Sequence, residues 1–67
     1  MLTFFLNGQE YFIQKNITIC ELLNYFGYNL SVLVVEHNNF IRPKSKWGKI
    51  YVKNNDYIEI VTIVGGG

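Results

Sequence analysis

The pair Asn7-Gly8, placed between two runs of aromatic and aliphatic residues, constrains the fold more than any other feature of the sequence. Both turn positions of a tight hairpin require a positive φ, which asparagine and glycine adopt readily. The pair therefore predicts an antiparallel hairpin with strands at 2–6 and about 10–14. Alternation along the first strand separates two faces: Leu2, Phe4 and Leu6 on one, and Thr3 and Phe5 on the other.

After the hairpin, the spacing of the apolar residues changes from alternation to a helical period. Thr18 and Glu21 have the spacing of a capping box, in which each side chain bonds the backbone amide of the other residue. Gly27 stands where a left-handed residue commonly ends a helix. These signals predict a short helix over 19–26, which must pack on a sheet because a helix of this length is marginal alone.

The remaining sequence predicts a strand at 32–36, a short strand at 50–53 and the longest strand at 57–64. In the last of these, Ile58 and Ile60 are expected to face inward. A single 3₁₀ turn at 45–48 is expected to bring Trp47 onto the core. His37 falls in the turn after the third strand and is expected to be solvated, without a role. The carboxylates are all expected at turns, caps or exposed strand positions: Glu10, Glu21, Glu36, Asp56 and Glu59.

This order of elements predicts an α+β fold in which the hairpin and the final strand share a mixed β-sheet, with one main helix packed on one face. The arrangement is the β-grasp, or ubiquitin-like roll, predicted over 1–64. No helix covers the other face of the sheet. We expect an exposed apolar patch there that docks a partner, although a homodimer contact is the alternative. Its predicted members are Phe5, Val34, Val61 and Ile63.

Composition and charge narrow the function classes. The net charge of +1 argues against a nucleic-acid binder or a membrane-surface binder. It also disfavours a single-stranded nucleic-acid module, which needs a basic groove interleaved with aromatic residues. We find no catalytic triad spacing, no paired metal ligands and no phosphate-binding glycine loop. Cys20 is the single cysteine, so it cannot form an internal disulfide, and we expect it to be buried.

The tail Gly65-Gly66-Gly67 directly follows the last predicted strand. A flexible terminus is the simplest interpretation of such a segment. Glycine also has a specific use there, because a chain without Cβ can enter a narrow channel and approach a nucleotide closely. The Gly67 carboxylate, with a reference pKa of about 3.3–3.7, is ionised near neutrality and is a poor electrophile. Another protein would have to activate it, for example as a mixed anhydride with AMP.

The sequence resembles the ThiS/MoaD family of β-grasp carriers over essentially the whole chain. The resemblance rests on the order and spacing of several modest motifs. They are Asn7-Gly8, the helix segment at 18–23, the segments at 34–38 and 41–43, the strand at 56–61, and the ending at 64–67.

The resemblance implies that the Gly67 carboxylate is adenylated and converted to a thiocarboxylate, which donates sulfur for thiazole formation in thiamine biosynthesis. It implies three partners: an E1-like (ThiF-like) adenylyltransferase that uses ATP and Mg, a cysteine-desulfurase sulfur donor, and a ThiG-like thiazole synthase. Gly65 and Gly66 would let the tail enter the partners' active sites. We expect a monomeric carrier rather than an enzyme, with no cofactor bound to the chain itself.

Other assignments remain open. The same chemistry could serve molybdopterin synthesis or another thiolation pathway. A different class is a ubiquitin-like modifier joined to lysines through Gly67, and a third is a plain interaction domain. The abundance of Asn, Ile, Lys, Phe and Tyr indicates an AT-rich genome. We therefore expect a cytoplasmic protein, or a protein of the plastid stroma if the gene is plastid-encoded.

Overall fold

One mixed five-stranded sheet, with a single α-helix on one face, organises the molecule in a computed structural model that describes residues 1–63. The spatial order is β2-β1-β5-β3-β4, with β5 parallel to β1 and antiparallel to β3. This arrangement confirms the predicted β-grasp. The elements in chain order are β1 (Leu2–Leu6), β2 (Gln9–Ile13), α1 (Ile19–Tyr25), a 3₁₀ turn (Leu30–Val32), β3 (Leu33–His37), β4 (Phe40–Arg42), a second 3₁₀ turn (Lys44–Lys46) and β5 (Asp56–Thr62).

The opening hairpin forms as predicted. Asn7 and Gly8 have φ of 51° and 80°, as a type I′ turn requires, and β2 begins one residue earlier than expected. Asn7 also reaches outside the hairpin, because its Oδ1 accepts from the Ile60 amide at 2.7 Å. Its own amide donates to the Ile58 carbonyl at 2.9 Å. The turn residue therefore extends the pairing between β1 and β5 beyond the end of β1.

Helix α1 has both of its predicted end signals. The Glu21 amide donates to the Thr18 hydroxyl at 3.1 Å, and the Thr18 amide donates to the Glu21 carboxylate at 2.8 Å. Hydrogen bonds from the Thr18 backbone and side chain to the Glu21 carboxylate lower the pKa of Glu21. At the other end, Gly27 has φ of 77°, and the Tyr28 amide donates to the Leu23 carbonyl. This is a Schellman motif, which satisfies the last carbonyls of the helix.

The core lies between α1 and the inner face of the sheet. Phe4, Ile58 and Ile60 contribute the inward side chains of the central strands, and Trp47 is buried as predicted. Cys20 is half-buried and packs against this core, so it is less enclosed than expected. The buried apolar residues are Phe4, Leu6, Ile17, Ile19, Leu22, Leu23, Leu33, Val35, Trp47, Val52, Ile58 and Ile60.

The predicted strand at 50–53 is wrong. This segment makes one isolated bridge, between Thr18 and Tyr51, and otherwise serves the start of the helix. The Ile50 carbonyl accepts from the Ile19 amide at 2.9 Å, and the Trp47 carbonyl accepts from the Cys20 amide at 3.0 Å. The strand-favouring residues of this segment lie in a loop that buries Val52 while capping α1.

Candidate functional site

The last described part of the chain leaves the sheet from its centre. Strand β5 pairs with β1 through residues 56–58 only, whereas its pairing with β3 continues to Thr62. The Ile63 amide then donates to the Val32 carbonyl at 2.6 Å. The end of β5 is therefore hydrogen-bonded along one side only, to β3 and to the 3₁₀ turn that precedes it. On its other side, the pairing ends at the Asn7 turn.

Three of the four predicted docking residues lie together on the outer face, beside the base of the tail. Val34 and Val61 are directly opposite each other across β3 and β5. Val61 is 60% exposed and Ile63 is 52% exposed, while Val34 is half-buried. We call Val34, Val61 and Ile63 the tail-side patch. The patch lies on the outer face because side chains alternate along β5: Ile58 and Ile60 point to the core, so Val61 points outward.

The fourth predicted docking residue, Phe5, lies apart from this patch. It stacks on Tyr57, with the ring centroids 4.6 Å apart and the planes inclined by 9°. Tyr57 is four residues from Val61, or about 13 Å along the strand. The structure thus brings Phe5 together with an aromatic partner that the sequence did not suggest.

A row of carboxylates separates these two apolar groups. Glu36 and Glu59 are opposite each other across β3 and β5, in the position between Tyr57 and Val61. Ile41, on β4, is the other neighbour of Glu36 and is 69% exposed. Along the outer face, from the start of β5 toward its end, lie the Phe5–Tyr57 stack, the Glu36–Glu59 pair and the tail-side patch.

At the opposite end of β5, His37 and Asp56 form a buried network, so the expectation of a solvated His37 is wrong. The His37 Nε2 and Asp56 Oδ2 atoms are 2.6 Å apart. Arg42 Nε donates to His37 Nδ1 at 3.2 Å. Because a guanidinium can only donate, Nδ1 must be the acceptor and Nε2 carries the proton given to Asp56. Both ring nitrogens are thus engaged.

The Asp56 carboxylate accepts further hydrogen bonds from two turns. Asn38 Nδ2 bonds its Oδ1 at 2.9 Å, and the Lys53 amide bonds its Oδ2 at 2.7 Å. Burial of the carboxyl acts to raise the pKa of Asp56, but hydrogen bonds from His37, Asn38 and the Lys53 amide outweigh it and lower that pKa. The network closes the turn before β5 and ties it to the end of β3. Sequence inspection missed it because His37 and Asp56 are far apart in the chain.

The predicted carrier residues Gly65, Gly66 and Gly67 lie outside the described residues. Within residues 1–63, no group of three or more His, Cys, Asp or Glu side chains has the arrangement to hold a metal ion. No helix in that part of the chain is long and apolar enough to cross a membrane. The site features that the structure defines are thus the outer face and the position from which the tail departs.

Comparison with known proteins identifies relatives of the chain by sequence and a shared fold by structure. The ThiS family model matches residues 4–67. The Bacillus subtilis sulfur carrier protein ThiS is 35% identical over 63 residues, covering 92% of this chain and 96% of that protein. The crystal structure of a thiamine biosynthesis protein (ThiS) from Geobacter metallireducens aligns with a TM-score of 0.85 at 22% identity. That alignment covers 98% of this chain and all of the other, and it shows the shared fold.

Two further relatives bear on context. An uncharacterized protein ycf40 from Trieres chinensis is 62% identical over 65 residues, covering 97% of this chain and 89% of that protein. A thiazole synthase from Paramagnetospirillum magneticum is 36% identical over 62 residues. The match spans 92% of this chain but only 19% of the synthase. That enzyme therefore carries, within a much longer polypeptide, a segment similar to this entire β-grasp.

Proposed function

This chain belongs to the ThiS family, and from that membership we propose that it carries sulfur for thiazole formation on the carboxylate of Gly67. The observation that carries the proposal is the family match, which runs through residue 67 and so includes the three glycines. The likeness to a sulfur carrier and to a segment of thiazole synthases agrees with sulfur carriage for thiamine.

The proposed chemistry starts from an unreactive carboxylate. A Gly67 oxygen attacks the α-phosphorus of MgATP in the adenylyltransferase, which forms the acyl-adenylate and releases pyrophosphate. The terminal sulfur of a desulfurase persulfide then attacks the acyl carbon and displaces AMP, giving an acyl disulfide. A second thiol cleaves that disulfide, leaving the thiocarboxylate on Gly67 and a disulfide on the donor. Thiocarboxylate sulfur is a better nucleophile than carboxylate oxygen and can enter the thiazole precursor.

We propose that the chain is a co-substrate and that its partners supply the catalysis. Its histidine supports this division, because Asp56 and Arg42 occupy both ring nitrogens of His37. His37 is the last residue of β3 and lies opposite Ile58, near the start of β5, whereas the tail follows the end of that strand. Within the described residues, His37 is therefore not placed to act as a general base at the tail. ATP and Mg belong to the adenylyltransferase in this proposal.

A ThiG-like thiazole synthase is the partner with the most support. A segment similar to this chain lies within the thiazole synthase of Paramagnetospirillum magneticum. Joining two proteins in one polypeptide replaces their encounter by an intramolecular one at high effective concentration. The ThiF-like adenylyltransferase and the cysteine desulfurase are proposed because the chemistry requires an activator and a sulfur donor. The tail-side patch includes Ile63, the last described residue before the tail, and is the proposed contact for these partners.

The relatives also suggest a compartment. The ycf40 relatives are plastid-encoded proteins, and the composition of this chain indicates an AT-rich genome. We propose the plastid stroma as its place of action. Fractionation of the source cells with an antibody to the chain tests this, since recovery mainly outside the plastid contradicts it.

Intact-mass measurement tests the carrier function directly. The chain is incubated with MgATP, the adenylyltransferase, the desulfurase, cysteine and a thiol reductant. We expect a mass gain equal to the replacement of one oxygen by sulfur, located at Gly67 by fragmentation. Two variants serve as controls: deletion of Gly66-Gly67, which removes the acceptor, and Gly67→Ala, which keeps a carboxylate but adds one methyl group.

The outcomes separate the candidate functions. Absence of the mass gain in the unaltered chain, or its persistence after the deletion, refutes the proposal. Stable attachment of the chain to lysines of other proteins would identify a modifier instead. Transfer of the sulfur to a molybdopterin precursor, and not to the thiazole, would keep the carrier chemistry and change the acceptor.

A further inference from the structure

The strand residues of the outer face carry charges of one sign. Glu36 and Glu59 lie directly opposite each other near its centre, and Glu10 lies on the edge strand β2. Arg42 is the one lysine or arginine within the five described strands, and it lies opposite Val35 on the inner side. The outer face thus offers two adjacent carboxylates without a basic residue among its strand positions.

This acidic pair does not help the isolated domain. Like charges directly opposite on antiparallel strands have Cβ atoms about 4.5–5.5 Å apart and repel each other. In the part of the chain that the structure describes, the one ion pair joins His37 to Asp56, so neither glutamate has a cationic partner. The isolated domain thus gains nothing from the pair, and both carboxylates are accessible to a cation from another protein.

We infer that Glu36 and Glu59 receive an arginine side chain from the protein that takes the tail. This inference rests on the proposed function and takes the thiazole synthase as that partner. A guanidinium presents five donors in one plane and can bond two carboxylates at once, which an ammonium does less well. The partner surface is therefore apolar where it meets the tail-side patch and bears an arginine next to that contact.

The neighbours of the acidic pair strengthen the argument. The Phe5–Tyr57 stack borders it on one side and the Val34–Val61 pair on the other. When a partner covers these apolar groups, water leaves and the charges interact at a lower effective dielectric constant. A partner that buried the two carboxylates without a cation would lose binding free energy. The pair therefore selects the partner as well as attracting it.

The same charges exclude two other occupants of this face. A second copy of the chain, docked by the same face, would bring four carboxylates together near the two-fold axis, where they repel. Nucleic acid, with its phosphate charge, would also be repelled. The charge complementarity thus favours a basic, partly apolar protein surface.

Calorimetric binding to the thiazole synthase tests the inference with the double substitution Glu36→Gln and Glu59→Gln. We expect the affinity to fall at least about tenfold, as is typical when a buried charge pair is broken. The affinity of the double variant should also depend less on salt concentration than that of the unaltered chain. The thermal midpoint of the isolated double variant should rise, because the repulsion is removed. Glu10→Gln is the matched control, with a change in affinity below about twofold.

The double substitution is expected to lower the affinity for the synthase but to raise the thermal midpoint of the isolated domain, and these opposite changes make the result decisive. A merely structural role for the glutamates would lower stability and affinity together, which overturns the inference. Unchanged affinity and unchanged salt dependence in the double variant also overturn it. The mass assay on the unaltered chain is run in parallel. If that chain gains sulfur while the double variant binds normally, the inference fails and the carrier function stands.

Discussion

The two ends of β5 are built in opposite ways. At its start, Asp56 is buried, and its carboxylate accepts from His37, Asn38 and the Lys53 amide. At its end, Val61 and Ile63 are more than half exposed, and the strand is paired on one side only. One strand thus carries a buried, densely hydrogen-bonded polar site at one end and an exposed apolar surface at the other.

From this difference we expect the start of β5 to contribute mainly to the stability of the domain and its end to contribute mainly to partner binding. The polar network closes the turns at the end of the sheet away from Ile63. We therefore expect that a partner can cover the tail-side patch without disturbing the core. The following changes test this separation at one end of β5 or the other.

The largest effect is expected from Asp56→Ala, at the anchored end. The change removes three hydrogen bonds and leaves the His37 N–H without its acceptor in a buried place. We expect a loss of about 3 kcal/mol in the free energy of unfolding, measured with urea. Such a loss is a large fraction of the stability of a small domain.

Glu10→Ala removes an exposed carboxylate from β2 and is the control for that experiment. Its stability should stay within about 0.5 kcal/mol of the unaltered chain. Equal stability of the Asp56→Ala and Glu10→Ala variants would show that the network does not anchor β5.

At the open end, Val61→Asp is expected to weaken binding to the thiazole synthase at least about tenfold, by placing a charge in an apolar contact. The isolated domain should remain folded, because Val61 points to solvent. Its neighbour Ile60 is only 8% exposed, so Ile60→Asp should unfold the domain. Binding is measured by calorimetry and folding by circular dichroism. Unfolding by Val61→Asp would mean that the two faces of β5 play reversed roles.

A smaller effect is expected from Asn7, which connects the hairpin to the middle of β5. Asn7→Gly keeps the positive φ but loses the acceptor for the Ile60 amide, which should cost about 1 kcal/mol. Asn7→Ala also forces a side chain with Cβ into the left-handed region and should cost about 1 kcal/mol more. Hydrogen exchange should show faster exchange of the Ile60 amide in both variants. Equal stability of the two variants would mean that the positive φ carries no strain there.

The smallest effect is the pH dependence of the anchored end. The pKa of Asp56 is lowered in the fold from its ordinary value of 3.8. Ionised Asp56 therefore stabilises the folded state above that value, and this contribution is lost as the pH falls below about 4 toward the lowered pKa. Acid titration of the thermal midpoint should show a steeper fall for the unaltered chain than for Asp56→Asn. Parallel curves for the two proteins would contradict the linkage.

The fold was predictable largely because its signals are local. Asn7-Gly8, the Thr18–Glu21 box and Gly27 each lie within a few residues of the backbone groups that they satisfy. The prediction at 50–53 failed because these strand-favouring residues belong to a loop that caps α1. The abundance of asparagine had suggested genome composition, and Asn7 alone had been assigned a positive φ. In the structure, Asn7, Asn38, Asn39 and Asn55 all have positive φ, so the residue is also used where turns need it.

The sequence by itself determined the hairpin, the helix and its ends, and which faces of β1 and β5 turn inward. Side-chain alternation and capping act over short stretches of chain, so these features can be predicted without knowing the rest of the fold. Only the tertiary structure decided that His37 meets Asp56, that Phe5 stands apart from Val61, and that Glu36 faces Glu59. Each of those contacts depends on the register between strands that are distant in sequence, and that register is set when the whole sheet packs against α1.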